Sequence, residues 1–252
     1  MRITERTPER IAERIPARTP TRITFVPAPV RPSHGSAPRP WAQDPFAQAM
    51  RTGRGPLWLR RADGHRHPLD VERWCAPPDA ADRSLLARCL LTGRPVLDVG
   101  CGPGRLVIEL LSLGLPALGV DVTSAAVART RAGGGVAVCR SVFDRLPGEG
   151  RWGTALLADG NLGIGGDPTA LLARCREVLA PGGTVLVEVE PRDVDDRVTV
   201  RVEDASGWSG PPFAWARVGA SAATACAAEA GLAERERWKV DGRAFMAFTR
   251  LS

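Results

Sequence analysis

The chain has 252 residues, of which 44% are hydrophobic and 25% are charged, a composition typical of a globular α/β protein. No apolar run approaches the roughly 20 residues of a membrane-spanning helix, and the first residues lack the apolar core of a secretory signal. We therefore expect a cytoplasmic protein without a membrane partner. The six cysteines stand singly, with no Cys-x-x-Cys pair, so we expect neither disulfides nor a metal site.

The net charge of +6 is concentrated in residues 1–40, which contain eight arginines and three glutamates and are rich in proline. Such a segment cannot bury enough apolar surface to offset its ordering entropy, so we predict a disordered basic tail. It is either a dispensable extension, which we favour, or a tether to nucleic acid or another anionic surface. The remaining residues carry 26 basic and 25 acidic side chains, which gives no electrostatic reason to expect a nucleic-acid partner.

Residues 41–81 form a preface to the main domain, which we place at residues 82–252. The preface holds too many large apolar side chains for a free linker. Asp44 can cap a short helix that runs to Met50, and Asp63-Gly64 suggests a hairpin turn after a strand at residues 57–61.

Three side chains of the preface are candidates for function. Trp58 and Trp74 suit a lid or a substrate pocket, and anchoring the core is an equally good interpretation. His67 could act as a general base near neutral pH, although an exposed hairpin position is the commoner role for such a residue.

A helix is predicted at residues 79–91, and the strongest signal of the chain follows it. Val96–Val99 is typical of a strand buried on both faces, and Gly100, Gly102 and Gly104 follow before an apolar helix. Glycines let the backbone turn sharply and lie against a ligand, and the new helix offers free N–H groups at the same place. The stretch therefore predicts a nucleotide-binding corner.

The pattern Asp-x-Gly-x-Gly-x-Gly differs from the Gly-x-Gly-x-x-Gly of dinucleotide-binding loops, because its acid, Asp98, lies on the strand. It resembles motif I of the class I S-adenosylmethionine-dependent methyltransferases. The resemblance implies that S-adenosylmethionine is the cofactor and that Asp98 holds its methionine amino group, often through water. The loop residues that would line the methionine and ribose end are Gly100, Cys101, Gly102 and Gly104.

The resemblance also implies the α/β fold of that family. This fold is a seven-stranded, mostly parallel sheet with helices on both faces and a C-terminal antiparallel hairpin.

The second strand, at residues 117–122, is predicted to carry the ribose contact. Its Asp121 lies 17 residues beyond Gly104, close to where nucleotide-binding folds place the carboxylate that accepts both ribose hydroxyls. Val122 is assigned to the cofactor site beside it.

The third strand, at residues 135–139, leads to the expected adenine site. Family members often carry an Asp just after this strand, whereas this chain has Ser141, whose hydroxyl bonds less strongly than a carboxylate. Val142 and Phe143 are the candidates for packing on the adenine faces.

The fourth strand begins at Trp152, and its polar end is expected beside motif I. Ligands in such sheets bind at the carboxyl ends of strands where the strand order reverses. Asp159 and Asn161 should therefore face the methyl donor and acceptor, Asp159 as a cofactor contact and both as candidate catalytic residues. They do not form the Asn/Asp-Pro-Pro-aromatic set of nucleic-acid amino-methyltransferases, which argues against DNA adenine as the substrate.

The C-terminal part contains an insertion at about residues 191–218 that does not fit the minimal fold. Its Trp208 and Trp215 suit a substrate wall, and core packing is the alternative. The elements predicted around it are a helix at 168–179, a turn at 181–183, strands at 184–189 and 198–202, a helix at 220–230 and a hairpin at 234–249.

These features predict an enzyme that transfers a methyl group from S-adenosylmethionine to oxygen or nitrogen of a small molecule. Such a transfer needs in-line positioning more than acid–base groups. The alternatives are a nucleic-acid methyltransferase that uses the basic tail and a noncatalytic S-adenosylmethionine-binding module. A nicotinamide-dependent oxidoreductase is disfavoured by the loop pattern. The acceptor and the oligomeric state stay open.

Overall fold

The structure is a computed structural model that describes residues 45–250. The predicted tail at residues 1–40 and the Asp44 cap lie outside the described residues and stay predictions. In chain order the elements are α1 (Pro45–Thr52), β1 (Leu57–Arg61), β2 (Arg66–Leu69), α2 (Val71–Cys75), α3 (Ala80–Thr92), β3 (Val96–Val99), α4 (Arg105–Ser112), β4 (Ala117–Asp121), α5 (Ser124–Ala132), β5 (Ala137–Cys139), β6 (Trp152–Leu157), α6 (Pro168–Val178), β7 (Leu179–Val189), β8 (Asp195–Asp204), β9 (Phe213–Val218), α7 (Ala220–Glu229), β10 (Leu232–Val240) and β11 (Arg243–Arg250).

The main sheet has seven strands in the order β10-β11-β7-β6-β3-β4-β5. The five strands from β7 to β5 run parallel, and β11 pairs antiparallel with both β7 and β10. Strand β3 lies between β6 and β4, so the sheet order reverses beside the glycine loop that follows β3. This architecture confirms the predicted fold class.

The Asp-Gly turn of the C-terminal hairpin is confirmed. Asp241 and Gly242 both adopt left-handed backbone angles, with φ of 49° and 78°, as a two-residue hairpin of this type requires. The predicted turn at residues 181–183 falls inside β7, which begins at Leu179, and the pairing with β6 passes there from Leu179 opposite Trp152 to Thr184 opposite Thr154. Gly182, with φ of 68°, lets the strand pass through an irregular stretch there.

A second sheet of four strands joins the preface to the insertion, in the order β2-β1-β8-β9. Leu57 of β1 lies opposite Asp204 of β8, and all neighbouring strands of this sheet are antiparallel. The hairpin and the strand at residues 198–202 are confirmed, but α2 and β9 were not predicted. The two segments therefore form one structural unit.

An apolar cluster packs the second sheet and α1 against α5. Met50 of α1, Leu59 of β1 and Val202 of β8 are buried there with Ala126 of α5. Burying such side chains contributes about 1.5–3 kcal/mol each, so the cluster holds the preface firmly beside the carboxyl edge of the main sheet. Within residues 45–250, no helix is both long and apolar enough to cross a bilayer.

Candidate functional site

A cavity of about 590 Å³ opens at the carboxyl ends of β3, β4, β5 and β6. One side is built from the loops that leave these strands. The opposite side is aromatic and comes from α1, α2 and β9, with Phe46, Trp74, Phe213 and Trp215 on the wall. Its volume lies within the range of about 300–1,000 Å³ that is usual for small-molecule sites.

The glycine loop forms the floor of the cavity at the end of β3. Gly100 and Gly102 both have positive φ, of 72° and 53°, and both line the cavity together with Cys101. A Cβ on Gly102 would meet no atom within 4 Å and would project into open space beside the loop. The loop therefore leaves room for a ligand against its backbone.

Gly104 has a different role from the one predicted, because it does not line the cavity. A Cβ there would lie 2.4 Å from Cγ2 of Thr130 on α5. The missing side chain lets α4 start close to α5, so the structure assigns Gly104 to helix packing.

Asp121 ends β4 on the cavity wall, next to Val122. Its Oδ2 accepts a hydrogen bond from the Gly102 N–H at 3.0 Å, and its Oδ1 accepts one from the Thr123 N–H at 2.7 Å. Burial raises the pKa of Asp121, and these N–H donors counteract the rise. The Thr123 hydroxyl and the Val122 N–H also lower the pKa, so donors of the chain already occupy most of the about four acceptor sites of this carboxylate.

Asp98 lies on β3 and is 2% exposed, but it does not itself line the cavity. Burial raises its pKa to about 7, against the attraction of Arg105 and with the help of the Asp159 and Asp121 charges. The predicted contact with a ligand amino group stays a prediction. A contact through a water molecule suits the Asp98 carboxylate, because it lies behind the residues that line the cavity.

The predicted adenine residues all come together on the cavity wall. Ser141, Val142 and Phe143 follow β5 there, and Asp144 joins them. The Ser141 hydroxyl accepts a hydrogen bond from the Phe143 N–H at 3.2 Å. The Phe143 ring is 47% exposed, so it offers a free face to a planar ligand.

Asp159 is an ion-pair centre rather than a free carboxylate. Its oxygens lie 2.6 Å from Arg105 Nη1, 2.9 Å from Arg73 Nη1 and 3.3 Å from Arg243 Nη2. Burial alone would raise its pKa, but the three guanidinium groups outweigh burial and hold the pKa below its usual range. A carboxylate so stabilised is a poor proton acceptor.

Asn161 also lines the cavity, but its amide group is used to hold the glycine loop. Its Nδ2 donates to the backbone oxygens of Val99 and Gly100, both at 2.9 Å. Asn161 therefore fixes the position of the loop, and no geometry here assigns it a proton-transfer role.

Arg105 was not predicted, although it directly follows the last glycine of the loop. Its Nε and Nη2 each donate to Asp82 of α3 at 2.8 Å, and its Nη1 donates to Asp159. Burial would raise the pKa of Asp82, but Arg105 and Arg243 bring the value down to about 2. Arg243 belongs to the distant β11, so no local sequence pattern could have placed it in this network.

The four predicted tryptophans divide into two pairs. Trp74 and Trp215 line the cavity. Trp58 instead stacks under the Arg66 guanidinium, with 5.4 Å between its centre and the ring centroid, and Trp208 is 52% exposed. Neither Trp58 nor Trp208 lines the two cavities described here, so the lid or pocket role of Trp58 and the substrate-wall role of Trp208 stay predictions.

His67 lines a smaller cavity of about 190 Å³ that adjoins the first. The two cavities share the walls formed by Leu69, Trp74, Asp159 and Trp215. Burial lowers the pKa of His67, and the nearby Arg217 lowers it further against the opposing effect of Glu190.

The parallel sheet, the glycine loop and the buried acid at the end of β4 define a Rossmann-like nucleotide-binding domain with the topology of the class I methyltransferases. Residues 96–183 match the family model described as a methyltransferase domain. The match covers the glycine loop and the strands around it, and the fold is that of the class I S-adenosylmethionine-dependent methyltransferases.

Solved structures share this fold at low sequence identity. A methyltransferase from Bacteroides fragilis, in complex with S-adenosylhomocysteine, superposes with a TM-score of 0.67 at 20% identity, over 81% of this chain and 92% of that one. The CcbJ methyltransferase from Streptomyces caelestis gives 0.54 at 21% identity, over 71% and 92% of the two chains. The 1,6-didemethyltoxoflavin-N1-methyltransferase from Burkholderia thailandensis gives 0.52 at 20% identity, over 69% and 79%. No protein in a search of curated proteins matches the chain.

Proposed function

We propose that the chain transfers the methyl group of S-adenosylmethionine to an oxygen or nitrogen of a small molecule. The observation that carries the proposal is the two-sided cavity. One side has the glycine loop and Asp121, and the other has aromatic side chains from elements outside the matched residues 96–183.

The residues of the first side fit the cofactor. A Cβ on Gly102 would project into open space, and Asp121 presents its carboxylate on the same cavity wall, where we assign it to the ribose hydroxyls. Ser141 and Phe143 line the same cavity after β5, and we assign them to the adenine. The bound cofactor supplies a methyl group already activated on a sulfonium, so the protein has to orient the acceptor and exclude water.

The aromatic side favours a small acceptor. Phe46 and Trp74 lie with their ring centroids 6.3 Å apart, and Phe213 and Trp215 lie 6.2 Å apart in an edge-to-face arrangement. Apolar walls with a few polar groups are typical of small-molecule sites. The Burkholderia protein, which binds 1,6-didemethyltoxoflavin, shows the same fold used on such a substrate.

Calorimetric titration with S-adenosylmethionine, S-adenosylhomocysteine and NAD tests the cofactor assignment. We expect micromolar binding of the first two and no binding of NAD. Binding of NAD alone would overturn the proposal. Binding of S-adenosylhomocysteine without methyl transfer to any acceptor tested would favour the noncatalytic module.

Gly102→Ala and Gly93→Ala give a matched pair for the position of the site. Both glycines have positive φ, of 53° and 61°, and a Cβ on either would meet nothing within 4 Å. Only Gly102 lines the cavity. Both variants should lose similar stability, and only Gly102→Ala should weaken S-adenosylhomocysteine binding. Equal affinities would remove the loop from the site.

A further inference from the structure

Asp98 differs from the other carboxylates around the glycine loop, because among residues 45–250 its side chain receives no hydrogen bond and forms no ion pair, although it is only 2% exposed. Asp121 accepts two backbone N–H groups, and Asp159 is held by arginines. The residues opposite Asp98 in the sheet, Gly119 on β4 and Leu156 on β6, have no side-chain donor to offer. A buried carboxyl group without donors is favoured in its protonated form.

The positive charge that acts on Asp98 comes from Arg105, and other carboxylates already share it. Arg105 directs four hydrogen bonds to Asp82 and Asp159. The ion-pair network to which it belongs has three guanidinium groups, of Arg73, Arg105 and Arg243, and five carboxylates, of Asp70, Asp79, Asp82, Asp159 and Glu188. An ionised Asp98 would add a further negative charge beside a network that already has an excess of carboxylates.

The groups that act on Asp98 mostly oppose its ionisation. The charged and titratable groups around it are those of Asp82, Cys89, Cys101, Arg105, Asp121 and Asp159. The three carboxylates disfavour a charge on Asp98 and Arg105 favours it, while the two thiols are neutral because burial raises their pKa. Burial has the largest effect and brings the pKa of Asp98 to about 7, so near neutral pH a large share of the molecules holds this proton.

The cofactor would bring a positive charge to this position. Its amino-acid end carries an ammonium group, which the resemblance to motif I assigns to Asp98. An opposite charge within about 4–6 Å lowers the pKa of a carboxyl group by about 1–3. Asp98 lies behind the residues that line the larger cavity, of about 590 Å³, so we expect a contact through water and a decrease near the lower end of this range.

We propose that Asp98 is protonated in the unliganded protein and releases this proton when S-adenosylmethionine binds, so that cofactor affinity rises with pH. The inference rests on the proposed function, since the cofactor has to bind in the larger cavity. The proton passes from the carboxyl oxygen to water, and the ammonium group keeps its own protons as the partner of the carboxylate. At acidic pH binding has to displace a proton, whereas at alkaline pH the carboxylate is already ionised, so the affinity should level off there.

Calorimetric titration with S-adenosylhomocysteine, which has the same ammonium group, tests the inference at about pH 6 and about pH 8. The pKa of Asp98 is about 7 in the free protein. If the ammonium group lowers it by about 1–2 in the complex, the affinity at pH 8 should exceed that at pH 6 by about five- to tenfold. At pH 6 the heat of binding should vary with the ionisation enthalpy of the buffer and correspond to the release of about 0.4–0.8 proton, with little release at pH 8.

5′-Methylthioadenosine is the matched ligand control, because it keeps the adenosine part and lacks the ammonium group. It should bind without proton release and with the same affinity at both pH values. Titration of Asp121, which we assign to the ribose, would affect both ligands alike. A difference between the two ligands therefore reports on the group that faces the ammonium.

Asp98→Asn tests the residue itself, because the amide has nearly the same size and has no proton to release. This variant should bind S-adenosylhomocysteine with the same affinity at both pH values and without a buffer-dependent heat. His67→Asn is the matched control, since His67 titrates in the same pH range but lines only the smaller cavity. It should keep both the pH dependence and the proton release of the wild type.

Failure of the inference can be told apart from failure of the proposed function. If S-adenosylhomocysteine binds at neither pH, the proposed function fails. If it binds equally at both pH values and releases no proton, the inference is overturned and the proposed function stands. Equal proton release with 5′-methylthioadenosine, or an unchanged pH dependence in Asp98→Asn, would assign the proton to another group and would also overturn the inference.

Discussion

Asp121→Asn is the variant that most sharply separates ligand binding from folding. The carboxylate accepts hydrogen bonds from the N–H groups of Gly102 and Thr123, and we assign it to the ribose hydroxyls as well. Asparagine keeps one oxygen and turns an NH₂ group toward Gly102. One charge-assisted hydrogen bond to the ligand, worth about 1.5–3 kcal/mol, is lost, which corresponds to a loss of affinity of about 10- to 150-fold.

The measurement is calorimetric binding of S-adenosylhomocysteine, with the thermal midpoint of each variant as the folding control. The Gly102 N–H left without its acceptor lowers stability by about 1–3 kcal/mol. Removal of a buried charge offsets part of this loss. Asp204→Asn is the matched control, since Asp204 also accepts two backbone N–H groups, at 2.9 and 3.1 Å, but lines neither cavity. A folded Asp121→Asn protein that binds within twofold of the wild type would refute the ribose assignment.

Three further predictions follow from the charges of the chain. Arg105→Met removes one member of a buried ion pair and should lower the free energy of unfolding by about 3–5 kcal/mol. Arg237→Met, on the surface, should leave the denaturation midpoint unchanged. Equal effects of the two substitutions would contradict a stabilising role for the ion pairs of Arg105 with Asp82 and Asp159. Because burial raises the pKa of Asp98 to about 7, the cost of its charge grows as the pH rises from its unfolded pKa to that value. The Tm of Asp98→Asn should therefore exceed that of the wild type by more at about pH 8 than at about pH 5. A Tm difference that is the same at both pH values would argue against a raised pKa of Asp98. Deletion of residues 1–40 should change neither Tm nor S-adenosylhomocysteine affinity, and a large loss of either would make the tail structural.

The cofactor side could be predicted from the sequence because its residues are local. The glycine loop and Asp121 each follow a short apolar strand directly, and the strand and turn patterns fix where their backbone goes. Ser141 and Phe143 were found in the same way, since they too follow a strand. In a parallel sheet the carboxyl ends of neighbouring strands meet at one edge, so local patterns are sufficient to bring these residues together.

The aromatic side of the larger cavity could not be predicted because its contacts are distant in sequence. Leu57 pairs opposite Asp204, and no period or turn signal links two strands so far apart. For Trp58 on β1 and Trp215 on β9, the face on which the ring lies depends on the strand pairing, because side chains of a strand alternate between its two faces. The sequence therefore did not show that Trp74 and Trp215 line the cavity and that Trp58 and Trp208 do not.

Asp159 is the point at which the two sides meet, and its geometry explains why sequence reasoning misjudged its chemistry. It lies at the carboxyl end of β6, as predicted, but its backbone is left-handed, with φ of 57°, and its N–H donates to Glu188 at 2.6 Å. Such a conformation persists in a non-glycine residue only where its surroundings fix it. Here α2 contributes Arg73 and α4 contributes Arg105, so the carboxylate ties the preface to the cofactor loop. A carboxylate that binds two such elements has to stay ionised, so it holds the site together and is not free to take a proton from a ligand.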